Sequence, residues 1–294
     1  MSVARHTPAA PTANVRRTKG VDWSLVGTHA ALIALLAVML FPVYVMLKTS
    51  FTPFDRILTT PATWLPEPFT LGNYVEVFVG RYQFGTAYLN SIILSVSTAA
   101  AAIFFGFLGA YALSRFTFGL RAPLLFIALA TQMFSPVIMI VSLYQIMQGY
   151  GLLNTYLAVI LAQSALAVPI ALWLLHGYLG GIPTDLEEAA MIDGCSRLSS
   201  LRHIILPLAA PGIAMAGIYA FIWSWNQLIF PLVFLNSESL FPIPLALTRF
   251  AGQNVVFWNL MMAAGVLATI PIALLFSAVQ GVFVRGITAG AVKG

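Results

Sequence analysis

The stretch Pro183-Thr184-Asp185-Leu186-Glu187-Glu188-Ala189-Ala190-Met191-Ile192-Asp193-Gly194-Cys195-Ser196-Arg197-Leu198-Ser199-Ser200-Leu201-Arg202-His203-Ile204-Ile205-Leu206-Pro207 carries six charged side chains in an otherwise apolar chain. Its local chemistry spells out two short helices. Thr184 with Glu187 three residues on reads as a capping box. Asp185, Glu187 and Glu188 fall in the first turn, where the helix dipole favours negative charge. Gly194 is placed to end this helix in a left-handed C-terminal turn. A second helix is expected from about Ser199 or Ser200, running through Ile204 and Ile205 until Pro207 stops it. Ala189 and Ala190 form a small-residue patch beside the acidic groups, which suits either close docking by another protein or an amphipathic helix lying on a membrane surface.

The residues around this loop set its environment. The chain has 294 residues, 60% hydrophobic and 8% charged, with a mean hydropathy of +0.92. Soluble domains carry about 25% charged residues, so most of this surface must face lipid. Six segments reach the length of about 20 apolar residues that a membrane helix needs. They are Leu25–Leu47, Thr86–Leu113, Pro123–Met147, Thr155–Tyr178, Ala209–Leu235 and Met261–Val284, and none contains Asp, Glu, Lys or Arg. Their helices carry Pro136, Pro169 and Pro271, read as kinks that neighbouring helices re-satisfy. Small residues at Gly106, Gly109 and Ala110, and at Ala263-Ala264-Gly265, allow close helix approach. The first apolar run is longer than the core of a secretory signal, so a retained span is expected rather than a cleaved leader.

Basic residues orient the chain. Arg5, Arg16, Arg17, Lys19, Arg115, Arg121, Arg197, Arg202, Arg285 and Lys293 fall on one side, and Lys48, Arg56, Arg81 and Arg249 on the other. Ten against four puts the first set, and both termini, in the cytoplasm. The expected organisation is a disordered cytoplasmic tail over 1–24, a first span over 25–47, and an ordered, extended external segment over 48–85. A five-helix core over 86–284 follows, with its cytoplasmic loop at 180–208, and then a cytoplasmic tail over 285–294. The fold class is an all-α integral membrane protein of six transmembrane helices.

Several functions are excluded. No dense basic stripe supports nucleic-acid binding. The single cysteine, Cys195, rules out an internal disulfide or a cysteine-based metal site. No glycine-rich loop ends in GK[ST], so the chain itself is not expected to hydrolyse ATP, and no cofactor or metal is expected in it. A proton- or sodium-coupled carrier would need ionisable groups inside the membrane, and often repeats. The spans offer only neutral polar groups. Asn90, Gln132 and Asn226 can exchange hydrogen bonds with a neutral polyhydroxylated solute, and Trp223 and Trp225 can stack on sugar faces. His29 and His176, near span ends, read as interfacial or hydrogen-bonded.

The run Glu188-Ala189-Ala190-Met191-Ile192-Asp193-Gly194, nine residues, then Ile204-Ile205-Leu206-Pro207 resembles the EAA loop of ABC importer permeases at every defining position. The C-terminal Gly286-Ile287-Thr288-Ala289-Gly290-Ala291-Val292-Lys293-Gly294 resembles the tail of the smaller, maltose-type permease subunit of carbohydrate importers, and Trp225-Asn226 resembles a recurrent feature of sugar-type permeases. Unlike the larger maltose-type partner subunit, the chain has six spans and no large inserted external domain. The resemblance implies a type I ABC importer permease fold in a bacterial cytoplasmic membrane, importing a sugar by alternating access. ATP and Mg bind a separate ATPase dimer, which docks at Thr184, Glu187, Glu188, Ala189, Ala190, Asp193, Gly194, Leu206 and Pro207. Gly290 and Lys293 in the tail reach toward that dimer. A second homologous permease subunit completes a heterodimer in lipid. An extracytoplasmic solute-binding protein contacts the outer loop carrying Glu238, Arg249 and Asn254. A permease for another small solute, or a secondary carrier, is the alternative.

Overall fold

The structure is a computed structural model that describes residues 23–59, 63–80, 82–252 and 255–291. The N-terminal tail, Arg81, Asn254 and Lys293 lie outside the described residues. Two units divide the chain, residues 1–45 and 46–294. The first is built from the opening turns of α1 (Trp23–Ser50), where His29 Nδ1 bonds the Leu25 carbonyl at 2.7 Å. The second holds every other element.

After α1 come a 3₁₀ turn at Phe54–Arg56 and a short helix, α2 (Gly72–Val79). The described residues of the segment expected over 48–85 are therefore partly helical rather than extended. Asn73 fixes it: its amide donates to the carbonyls of Ser50 and Thr52, both at 2.9 Å, and its Oδ1 accepts from Asn259 Nδ2 at 2.7 Å.

Next is α3 (Phe84–Arg115), 32 residues of unbroken helix. The third apolar segment departs from expectation. It is two helices, α4 (Arg121–Ala130) and α5 (Pro136–Gly149), joined through a 3₁₀ turn at Thr131–Met133 and bent by 99°. Proline pushes the preceding residue into extended backbone. Ser135 accordingly sits at ψ 133 and caps α5, with Pro136 in its first turn. Pro136 starts a helix and does not kink one; hydropathy cannot register that difference.

α6 (Tyr156–Gly180) keeps Pro169 inside it. α7 (Asp185–Ile192) and α8 (Arg197–Ser200) form the charged loop. α9 (Leu206–Trp225) is shorter than the expected fifth span. It ends at Asn226, whose side-chain amide turns back to the Ile222 carbonyl at 2.7 Å. The remainder of that apolar run is a separate, partly buried helix, α10 (Ile229–Phe234). α11 (Ile243–Leu247) follows, and α12 (Trp258–Ala291) carries Pro271 and continues past the expected end at Val284. Among the described residues, five helices are long and apolar enough to cross a membrane, and six if the bent α4–α5 pair counts as one. No strand forms among them beyond an isolated bridge between Ala251 and Val256.

α3, α6 and α9 pack into one core through small side chains. Ala102, Ala110, Ala171, Ala216 and Ala220 are fully buried there. A Cβ on Gly106 would stand 3.0 Å from both the Ala171 Cβ and the Leu172 nitrogen. The close approach the sequence suggested at this glycine is thus backbone of α3 against backbone of α6, with the Ala171 methyl beside it.

Candidate functional site

The charged loop begins where α6 ends at Gly180. Thr184 is the residue before α7, but its side chain makes no capping bond and its backbone is already helical at φ −67, ψ −28. The expected capping box does not form, because Glu187 is committed elsewhere. Its carboxylate accepts from the Tyr111 hydroxyl and pairs with Arg115 Nε at 3.1 Å. Both charged side chains are 7% exposed.

The far end of α7 follows expectation. Gly194 adopts φ +90. Its N–H donates to the Met191 carbonyl at 3.1 Å, and the Cys195 N–H donates to Ala190 at 3.0 Å. This is the doubly bonded Schellman turn. α8 starts earlier than expected, capped by Ser196, whose hydroxyl accepts from the Ser199 N–H at 3.2 Å.

Pro207 does not stop the helix. Leu201–Ile205 forms a π-turn, with the Leu206 N–H bonded to Leu201, and α9 starts directly beyond it with Pro207 in its first turn. The wider π-turn shifts the bonding frame, so Pro207 falls where a missing N–H is tolerated. The helix consequently continues from Arg197 to Trp225.

The loop divides its sequence-predicted residues between two faces. Thr184, Glu188, Ala189, Asp193, Gly194, Leu206 and Pro207 are exposed, while Glu187 and Ala190 are buried. Exposed Ile192 and Leu198 add an apolar component to the outer face. Sequence reading missed Tyr111 and Arg115. Their spacing of four places both on one face of α3, and an arginine closing a long apolar helix was the available signal.

At the other end of the bundle, Glu238 and Arg249 form a salt bridge at 2.7 Å. They border a small cavity of about 70 Å³ with Tyr82, Gln83, Thr86 and Phe241. Asn90 supports this loop from α3, donating to the carbonyls of Ser239 at 2.8 Å and Phe241 at 3.0 Å and accepting from the Tyr156 hydroxyl at 2.7 Å. Asn154, not singled out from sequence, accepts from the N–H groups of Asn236 and Ser237.

Of the other polar candidates, Gln132 donates to the Leu166 carbonyl at 3.1 Å. Trp225 is 3% exposed, stacks on Phe221 at 5.5 Å and donates to the Ala268 carbonyl at 3.2 Å. Trp223 is half-buried and Asn226 exposed. Gln163 joins three helices, its Oε1 accepting from Thr98 on α3 and Ser224 on α9. Gly290 lies within α12.

The model of the family described as binding-protein-dependent transport system inner membrane component matches residues 102–289. The chain is 35% identical to the inner membrane ABC transporter permease protein YcjP of Escherichia coli, over 92% of this chain and 97% of that one. It is 35% identical to the sulfoquinovosyl glycerol transport system permease protein SmoH of Agrobacterium fabrum, covering 87% and 89%. It is 34% identical to the trehalose/maltose transport system permease protein MalG of Thermococcus litoralis, covering 89% and 94%. A solved bacterial ABC transporter involved in import of the acidic polysaccharide alginate shares the fold, with a TM-score of 0.76 at 23% identity, covering 94% of this chain and 99% of that chain.

Proposed function

The chain belongs to the family of binding-protein-dependent transport system inner membrane components, and from that membership we propose that it moves a sugar into the cytoplasm under the drive of an ATPase docked on the 184–207 loop. As an ABC transporter permease it is a multi-pass protein of the cytoplasmic membrane, and ATP hydrolysis belongs to a separate subunit.

The sugar assignment draws support from relatives whose names specify trehalose/maltose, diacetylchitobiose and sulfoquinovosyl glycerol. The expected apolar segments, which lack Asp, Glu, Lys and Arg, agree with a neutral sugar of the trehalose or maltose kind, which needs no ionic partner there. One observation carries the docking assignment. The face of α7 with Glu188, Ala189 and Asp193 is exposed, and the helix that carries it is closed at its C-terminal end by the Schellman turn at Gly194. A second, homologous permease subunit and a solute-binding protein complete the assembly. The binding protein meets the outer loop at the Glu238–Arg249 pair and Asn254. Gly290 and Lys293 lie toward the ATPase. With the positive-inside rule, the loop and both termini face the cytoplasm. In the pathway, Asn226 and Trp223 have free surface for solute, while Asn90, Gln132 and Trp225 support the walls. ATP closes the ATPase dimer, the loop is drawn along, and the cavity opens outward; hydrolysis reverses this.

The test is purification of the assembled transporter carrying Glu188→Lys. The expected result is normal membrane insertion with the ATPase lost from the purified complex. Undiminished ATPase recovery together with full transport would overturn the docking assignment. A thermal-shift series on the cognate binding protein names the solute: stabilisation by a sugar is expected, and stabilisation only by an amino acid or by phosphate rejects the sugar reading.

A further inference from the structure

Arg115 and Glu187 are the one charged pair, among the described residues, with both side chains buried. They join two elements far apart in sequence. Arg115 ends α3, and Glu187 lies in the first turn of α7. The site has further ties. The Arg115 guanidinium also donates to the Ile182 carbonyl at 3.1 Å, reaching the turn that leaves α6. Tyr111, one turn earlier on α3, donates to the same Glu187 carboxylate. Beyond it, the guanidinium of Arg197 on α8 lies over the Phe116 ring at 5.2 Å, just past the end of α3.

A buried ion pair adds little to stability compared with an apolar pair of the same volume. Lipid-facing chains have apolar residues at hand for that purpose. What the pair does supply is geometry: a guanidinium fork, a carboxylate and a carbonyl have few mutual arrangements, and low dielectric penalises any separation of the charges. Two elements so joined move together or not at all.

We propose that the Tyr111–Arg115–Glu187 cluster is a latch that makes the docking loop and α3 one rigid body, so that force applied at the exposed face of α7 moves α3 as a lever. It rests on the docking reading above. Glu187 is then a positioning residue, turned away from the ATPase, and Glu188 beside it is the contact. The length of the lever follows from helix geometry. Twenty-six residues separate Leu89 from Arg115 along α3, about 39 Å at 1.5 Å per residue. A small rotation at the loop becomes a large displacement at the other end.

The experiment measures distances between nitroxide labels at Leu186→Cys and Leu89→Cys in the assembled complex in nanodiscs. Both positions are exposed; Cys195 is first replaced by Ser. With the latch intact, the distance should change by less than about 2 Å between nucleotide-free and ATP–vanadate states. Arg115→Met with Glu187→Gln removes both charges, and the distribution should then broaden and shift on adding ATP–vanadate. A double variant whose distance stays as fixed as before overturns the latch, as does a distance that already changes with the pair intact. If the double variant fails to assemble, Tyr111→Phe removes a single hydroxyl and should broaden the distribution to a lesser degree; an unchanged distribution in it also overturns the proposal. Recovery of the ATPase with each variant is scored in parallel. The Glu188→Lys result judges the docking reading, and the label distances judge the latch.

Discussion

Glu187 and Glu188 are neighbours with opposite surroundings. One helical step turns a side chain by about 100°, which carries Glu188 to water and Glu187 against Arg115. Their substitutions should differ accordingly. Glu187→Ala leaves a buried guanidinium without its anion and should cost about 3–5 kcal/mol, seen as a marked fall in the melting temperature of the purified complex. Glu188→Ala should stay within about 0.5 kcal/mol when the permease is melted without its ATPase. Gly194 gives a second contrast. A Cβ there meets nothing within 4 Å, yet the backbone stands at φ +90. Gly194→Val should therefore destabilise the loop by about 1–2 kcal/mol through backbone strain alone. Gly194→Asn should cost less, because Asn tolerates left-handed backbone. Thermal melts of the two variants test this. Gly194 could be read from sequence because its role is settled within a few residues. Glu187 could not, because its partner Tyr111 is 76 positions away, and a capping box was the only local use for its carboxylate.

Helices and their joints follow the same division. Spans without internal breaks, such as α3 and α6, were visible as long apolar runs. The joints were not. Apolar content continues through the α4–α5 bend and through the gap between α9 and α10, so hydropathy merges elements that backbone geometry separates. Pro207 misled in the other direction: a proline usually ends a helix, and here a π-turn carries the helix past it. That turn holds one residue more than an α-turn needs. Deleting Ile204 should regularise it and rotate α8 by roughly 100° relative to α9. The protein should still insert, but sugar transported per ATP hydrolysed in proteoliposomes should fall at least tenfold. A variant that keeps its transport ratio would show that the phase between loop and span is unimportant. Packing between helices gives a further expectation. Gly106→Val pushes a branched side chain onto the backbone of α6 and should cost about 1–3 kcal/mol, lowering the melting temperature of the complex, whereas Gly149→Ala, with open space around it, should leave it unchanged.

For the molecule as a whole, composition alone required lipid as the surrounding medium, and the basic residues proposed an orientation. The lone Cys195 offers a direct check, since it sits in the charged loop just past Gly194. A membrane-impermeant maleimide should label it in inverted vesicles and leave it unlabelled in intact spheroplasts; labelling from outside would reverse the assigned orientation. The bent pair formed by α4 and α5 has a bearing on how the chain meets the bilayer. These helices have 10 and 14 residues, about 15 and 21 Å of helix, against a hydrocarbon layer of about 30 Å. Neither half satisfies the bilayer by itself. α6 follows them in sequence, and Gln132 at the elbow bonds its Leu166 carbonyl. The elbow therefore depends on α6 for part of the environment that lipid alone gives an unbroken span.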